Sequence, residues 1–187
     1  LSDAHPTPQP AIAKQYLPKA ETLPVTAEEA TRLQAIPYRQ AVGSLLYVMI
    51  CTRPDIAYAV QAVSQHLTDY RQLHWEAVKR IFTYLKHTQD KALCLGGNLS
   101  PTGPTLTGYA DADWANGTDR KSITGFLFSV GNGAFSWKCQ KQSIVTSSST
   151  DAETVALLLA SLYAEHYCIL LDELGFSQQL PVTIHQD

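Results

Sequence analysis

From Tyr38 onward apolar residues recur at intervals of three and four, the spacing of one face of a helix. Val42, Leu45, Leu46 and Met49 mark a first stripe, and Ile56, Val60, Val63 and Leu67 a second. Between them Thr52-Arg53-Pro54-Asp55 has the chemistry of a helix start. Thr52 would accept the first free amides, Pro54 stands where no backbone donor is needed, and Asp55 suits the positive end of the helix dipole. A third helix is expected over His74–Thr88, burying Trp75, Val78, Ile81, Phe82 and Leu85. Past Leu106 the period shortens to that of strands. Leu106–Ala112 is a strand-like run ending in acidic residues, and Thr124–Val130 sets Phe126 and Phe128 on one face and Leu127 on the other. Gly131-Asn132-Gly133 tolerates positive φ, closing a hairpin onto a third strand, Ala134–Cys139. Ser147–Thr150 caps a long helix from Asp151 to about Leu174, stopped by Gly175. Its many apolar residues imply contacts on more than one side. Pro181–Asp187 opens a fourth strand.

The order strand, strand, strand, helix, strand predicts a mixed sheet. Two hairpin links make the first three strands antiparallel, and a helical crossover lets the fourth lie parallel to the first. The C-terminal ends of strands one and four then meet, with the first turn of the long helix nearby. Those places hold Asp111 (with Asp113), Glu153 and Asp187. Carboxylates gathered so closely repel unless a counter-charge intervenes. Two Mg2+ ions ~4 Å apart would supply it, one activating a water and one stabilising the leaving 3′ oxygen of a phosphodiester. Each residue also has a local reading. Thr150-Asp151-Ala152-Glu153 fits a capping box, Asp111 and Asp113 fit exposed strand ends, and Asp187 fits a solvated terminus. No Ser or Cys stands with a base partner as a nucleophile would.

At 187 residues, 45% hydrophobic and 17% charged, the chain is long enough for a substantial core, and its composition argues against disorder, coiled coil and disulfide scaffolds. Charge is uneven: residues 1–105 carry ten Lys and Arg against eight Asp and Glu, residues 106–187 four against nine. The change falls at the turn-rich stretch Gly96-Gly97-Asn98-Leu99-Ser100-Pro101-Thr102-Gly103-Pro104, read as a boundary between two units. Six prolines within residues 1–37 make this an extended arm, with a short helix possible at Ala27–Ala35. The third helix shows Lys79, Arg80 and Lys86 on its outer side, a solvated face or a phosphate-tracking surface. No apolar run approaches the ~20 residues of a membrane helix, and no signal peptide is visible, so no membrane partner is expected. The four cysteines lie far apart, which suits buried, reduced thiols in an intracellular protein. Leu1, where an initiator Met would stand, points to a segment of something longer.

Two long stretches carry a family resemblance. "YRQAVGSLLYVMICTRPDIAYAVQAVSQHL" with "HWEAVKRIFTYLKHT" resembles the part of copia-type LTR retrotransposon polyproteins that follows the polymerase palm, the reverse transcriptase thumb and connection. The palm's aspartate pair has no counterpart, so DNA polymerisation is not expected. "GYADADWANGTDRKSITGFLFSVGNGAFSWKCQKQSIVTSSSTDAETVAL" resembles the ribonuclease H domain of the same elements. The resemblance implies an α/β fold: an extended arm over 1–37, a helical connection segment over 38–105, and a C-terminally truncated ribonuclease H-like mixed sheet over 106–187. It implies metal-dependent hydrolysis of the RNA strand of an RNA–DNA hybrid, with Asp111, Glu153 and Asp187 as catalytic metal ligands. Asp113 stands beside them as a supporting residue. Mg2+ is the implied ion and Mn2+ its substitute. Implied partners are the hybrid and the remainder of the polyprotein, in cytoplasmic particles and the nucleus. The positive track for nucleic acid would come from Lys79, Arg80, Lys86 and Lys91, with Arg120, Lys121, Lys138 and Lys141. The chain departs from the pattern in lacking the fifth strand and fourth acidic residue that follow the Asp187 position, and in placing Thr154 where an aromatic is usual. The missing strand and acidic residue leave a catalytically inactive remnant, acting as a structural or interaction module, as the alternative, whereas Thr154 bears on local packing.

Overall fold

A computed structural model describes residues 7–12, 16–96, 103–115, 117, 119–131 and 133–186. The chain divides into two compact units, Leu1–Ala92 and Leu93–Asp187. Most of the turn-rich stretch read as a boundary lies outside the described residues.

The first unit is helical: α1 (Ala27–Gln34), α2 (Tyr38–Cys51), α3 (Ala57–Ser64) and α4 (Gln72–His87). Its core is built from the stripes visible in the sequence. Val42 and Leu45 of α2, Ile56 before α3, Val60 and Val63 of α3, and Val78 and Ile81 of α4 are all buried in one cluster. Trp75, Phe82 and Leu85 are half-buried, and Tyr84 takes the buried place nearer the end of α4. In the arm, Thr26 caps α1 by accepting from the Glu29 amide at 3.2 Å. The arm is also pinned to the helices: Tyr70 Oη donates to the carbonyls of Leu33 and Ile36 at 2.6 and 3.1 Å, and His74 Nε2 to that of Pro18 at 2.8 Å.

The helix start expected at Thr52 takes another form. Thr52 closes the C-terminus of α2, Pro54–Ile56 make a single 3-10 turn, and α3 begins at Ala57. Arg53 and Asp55 instead form an internal ion pair. Arg53 Nε and Nη2 donate to the two Asp55 oxygens at 2.9 and 2.8 Å, and Arg53 also donates to the Thr88 carbonyl and hydroxyl. Tyr84 Oη completes the group at 2.8 Å from Asp55 Oδ2. The network outcompetes the cap because it satisfies a nearly buried guanidinium, which a short solvent-facing helix end does not require.

The second unit is a four-stranded sheet in the order β3-β2-β1-β4, from β1 (Leu106–Asp113), β2 (Ile123–Val130), β3 (Gly133–Lys141) and β4 (Thr183–His185). β1, β2 and β3 pair antiparallel, and β4 runs parallel to β1, the topology expected from the element order. The chain is therefore mixed α/β, with five α-helices among the described residues. α5 (Ser149–Glu173) crosses one face of the sheet. Ala152, Ala156, Ala160 and Ala164 line its buried side, and Ala160 and Ala164 meet Leu106, Ala110, Phe126 and Phe128. Small residues on the helix leave room for the phenylalanines of the sheet. Gly108 serves the same fit, since a Cβ there would lie 2.7 Å from Phe128 Cε1.

Three expectations need correction. α5 packs through one side only, and Leu158, Leu162 and Ile169 on the opposite side are exposed. Many apolar residues on one helix give their number, whereas their distribution between a small-residue face and a leucine face decides what packs. By length and composition α5 is also apolar enough to cross a membrane; counting uninterrupted apolar residues missed this because scattered acidic residues break the run. The cysteines, expected to be buried, divide: Cys51 and Cys94 are exposed, Cys139 and Cys168 half-buried, and all four are free thiols.

Candidate metal centre

Alternation along β1 assigns the candidate carboxylates to a face. Leu106, Gly108 and Ala110 are buried on the α5 side, whereas Tyr109 and Asp111 are exposed on the other. Asp113 follows in the same alternation and is half-buried. Asp111 pairs with Gly125 and Asp113 with Ile123 on β2. Cys139, opposite Gly125 on β3, completes the Asp111 row. Its thiol is pushed up to about 12, by burial first and by the charge of Asp113 second.

Glu153 reaches this strand end from the first turn of α5. Its Oε1 accepts from the Ala112 amide at 3.2 Å, and its Oε2 from Gln186 Nε2 at 2.8 Å. The first donor belongs to the peptide that joins Asp111 to Ala112. The second is the residue before Asp187, which itself lies outside the described residues. Glu153 thus ties the end of β1 to the segment leaving β4.

The capping-box reading of Glu153 is not what forms. Ser148 is the cap, its Oγ accepting from the Asp151 amide at 3.1 Å, while Ser147 Oγ donates to the Asp151 carboxylate. Hydrogen bonds from Ser147, then Ser148, hold the Asp151 carboxyl below the ordinary range. Glu153, relieved of capping, is free to turn toward the strands.

The start of α5 is fixed from beneath by buried polar groups that the hydrophobic pattern does not reveal. Gln142 Nε2 donates to Thr124 Oγ1 at 2.9 Å and to the Ala152 carbonyl at 3.0 Å. Ser122 and Thr146 share a hydroxyl hydrogen bond at 3.1 Å in the same region. Gln142 and Gln186 were not candidates from sequence. Their only signal is position, the first just after β3 and the second just before Asp187.

The residues present suit a hard divalent cation. Carboxylate oxygens are the donors Mg2+ prefers. Among the described residues no Lys or Arg forms an ion pair with Glu153, whose oxygens are held by neutral N–H donors. The described residues alone contain no group of three or more metal-ligating side chains.

The basic residues lie in varied surroundings. Lys138 is on the α5 side, its Nζ 2.9 Å from Tyr163 Oη and 5.2 Å from the ring centroid. Burial pushes the Asp119 carboxyl up, but Lys141, paired with it at 2.8 Å, and the backbone amides of Lys121 and Asp119 together hold it low. Arg120 is exposed and Lys121 half-buried. In the first unit Lys86 is exposed, Lys79 half-buried, and Lys91 Nζ sits 3.2 Å from Tyr84 Oη. Arg80 is half-buried beside a cavity of about 260 Å³ lined by Leu17, Tyr58 and Ile81, and its Nε lacks an acceptor.

Fold and site together describe a mixed α/β chain with carboxylates at the meeting of two parallel strand ends and a helix start. Over 180 residues, 96% of its length, it is 42% identical to the retrovirus-related Pol polyprotein from transposon TNT 1-94 of Nicotiana tabacum. It is 38% identical over 174 residues to that from transposon RE2 of Arabidopsis thaliana. The chain spans only 13% and 12% of those two polyproteins. A shorter relative, secreted RxLR effector protein 161 of Plasmopara viticola, is 42% identical over 127 residues, with 87% of its length covered. No family profile and no solved structure matches the chain. Over nearly its whole length the chain is thus homologous to a segment of retrovirus-related transposon Pol polyproteins.

Proposed function

We propose that this chain is the reverse transcriptase connection and ribonuclease H portion of a retrotransposon polyprotein, and that it hydrolyses the RNA strand of RNA–DNA hybrids. The observation that carries the reading is the double hydrogen bond of Glu153. It is held at one oxygen by the amide following Asp111 and at the other by the residue preceding Asp187. The helix turn that carries Glu153 is thereby tied to the end of β1 and to the segment leaving β4, and carboxylates gathered at that edge would suit divalent-metal phosphodiester chemistry.

Asp111, Glu153 and Asp187 would hold Mg2+, with Mn2+ as substitute and Asp113 alongside. When bound, the metal supplies an activated water and charge stabilisation of the leaving oxygen. The protein's own contribution is orientation. The Ala112 amide and Gln186 fix the Glu153 carboxylate, and Gln142 fixes the helix turn that carries it. The exposed side of β1 leaves Asp111 accessible to a hybrid, whose RNA strand is distinguished by its 2′-hydroxyls. The rest of the polyprotein is the second partner.

The test is cleavage of a labelled hybrid in Mg2+ and in Mn2+. The parent chain is expected to cut the RNA strand, and Asp111→Asn and Glu153→Gln to reduce cutting to background. Cleavage that persists in both variants, or a parent that cuts in neither metal, overturns the reading.

A further inference from the structure

The side of α5 that faces away from the sheet is apolar and acidic. Leu158, Leu162 and Ile169 are 61, 57 and 56% exposed, although each is a residue that normally seeks burial. They fall in a heptad pattern, with Val155, Leu162 and Ile169 seven residues apart and Leu158, Glu165 and Asp172 at the intervening seam positions. Glu165 and Asp172 are exposed within the same stripe. From residue 149 to 173 there is no Lys or Arg.

That charge pattern selects among occupants. A parallel second copy would set Glu165 and Asp172 against themselves, an antiparallel one would bury them against Val155 and Leu158, and in neither does the helix offer a Lys or Arg to compensate them. An anionic membrane surface would repel it likewise. A partner helix with apolar seam residues flanked by lysines or arginines would cover the leucines and neutralise Glu165 and Asp172 together.

We propose that the outer face of α5 is a docking surface for a basic amphipathic helix, seated along Leu158, Leu162 and Ile169 and matched in charge by Glu165 and Asp172. The site is separate from the carboxylate cluster and stands whether or not the chain cleaves hybrids.

The probe is a fluorescent three-heptad peptide with leucine at both seam positions and lysine at the flanking ones, alongside a counterpart carrying glutamate instead. Anisotropy titration with the full chain is expected to show binding of the lysine peptide alone. Leu162→Ser, an exposed position, should weaken it by about tenfold or more. Glu165→Lys should weaken the lysine peptide and admit the glutamate peptide, a reversal that misfolding cannot mimic. Equal binding of both peptides, or binding unchanged by Leu162→Ser, overturns the proposal. So does self-association of the chain that Leu162→Ser abolishes, or capture by phosphatidylserine vesicles that exceeds peptide binding.

Discussion

His74 is completely buried, and both ring nitrogens are engaged: Nδ1 accepts from the Arg71 amide at 2.8 Å and Nε2 donates to the Pro18 carbonyl. The ring stacks on His66 at 3.9 Å. A second proton would have to sit on Nδ1, facing an N–H donor. Burial, opposed in part by the Pro18 hydrogen bond, holds the His74 pKa below its ordinary value, with Arg71 lowering and Asp69 raising it further. The sign follows by linkage. Above about pH 6.5 the ring is neutral folded and unfolded, and its contribution is complete. As pH falls below that value the unfolded chain takes up a proton first, so stability declines until the folded pKa is passed. Urea midpoints at about pH 7.5 and pH 5.5 should show the loss, and His74→Gln should flatten the difference while lowering both midpoints. Asp55 makes a second case at this scale. Asp55→Ala would strip the carboxylate from a guanidinium that is only 10% exposed, at a cost of about 2–3 kcal/mol in urea unfolding followed by circular dichroism. Neither residue was legible as such. Arg53 and Asp55 looked like helix-end chemistry because their partners Tyr84 and Thr88 lie some thirty residues on, and His74 looked like the first residue of an ordinary helix.

Elements were far more legible than their contacts. The three- and four-residue spacing located α2 and α4, and the two-residue alternation located β1, β2 and β3, because burial on one face imposes those periods. β1 and β2 ran within one residue of expectation, and β3 continued to Lys141. What periodicity could not provide was the choice of packing face on α5, since alanines and leucines both count as apolar. The sheet selected the alanines because its own phenylalanines fill the space. The same fit sets the cost at Gly108. Gly108→Ala would push a methyl against Phe128 and Ile184, at 2.7 and 3.1 Å, and should lower stability by about 1–3 kcal/mol. The helix start offers a milder test: Ser148→Ala removes the cap and should cost about 1 kcal/mol in the same assay. If the chain cleaves hybrids as proposed, the cap variant should also weaken cleavage, because Glu153 lies in that first turn. The convergence of Glu153 on β1 was legible from topology; its capture by Gln186 was not, because a glutamine beside a carboxylate has no periodic signature.

At the scale of the whole molecule the distribution of charge decides how a polyanion could be held. Residues 106–187 carry nine acidic side chains against four basic ones, so the half with the candidate metal centre repels phosphate on balance. Two of those four cations are also committed, Lys141 to Asp119 and Lys138 to Tyr163. An ion-paired lysine must give up its partner before it can displace a counterion from nucleic acid, and the two steps largely cancel. Arg120 differs, being exposed in the segment between β1 and β2. If the chain holds a hybrid as proposed, affinity should fall linearly on a logarithmic scale of salt, with a slope set by the cations that touch phosphate. Arg120→Ala should weaken binding for every sequence alike and reduce that slope by about one. Lys141→Met should leave the slope within error, because the parent lysine already neutralises Asp119. Filter binding in a Glu153→Gln background across a salt series reads both effects. A larger change for Lys141→Met than for Arg120→Ala would mean that the Asp119 pair opens to grip the hybrid, reversing the assignment of these two residues.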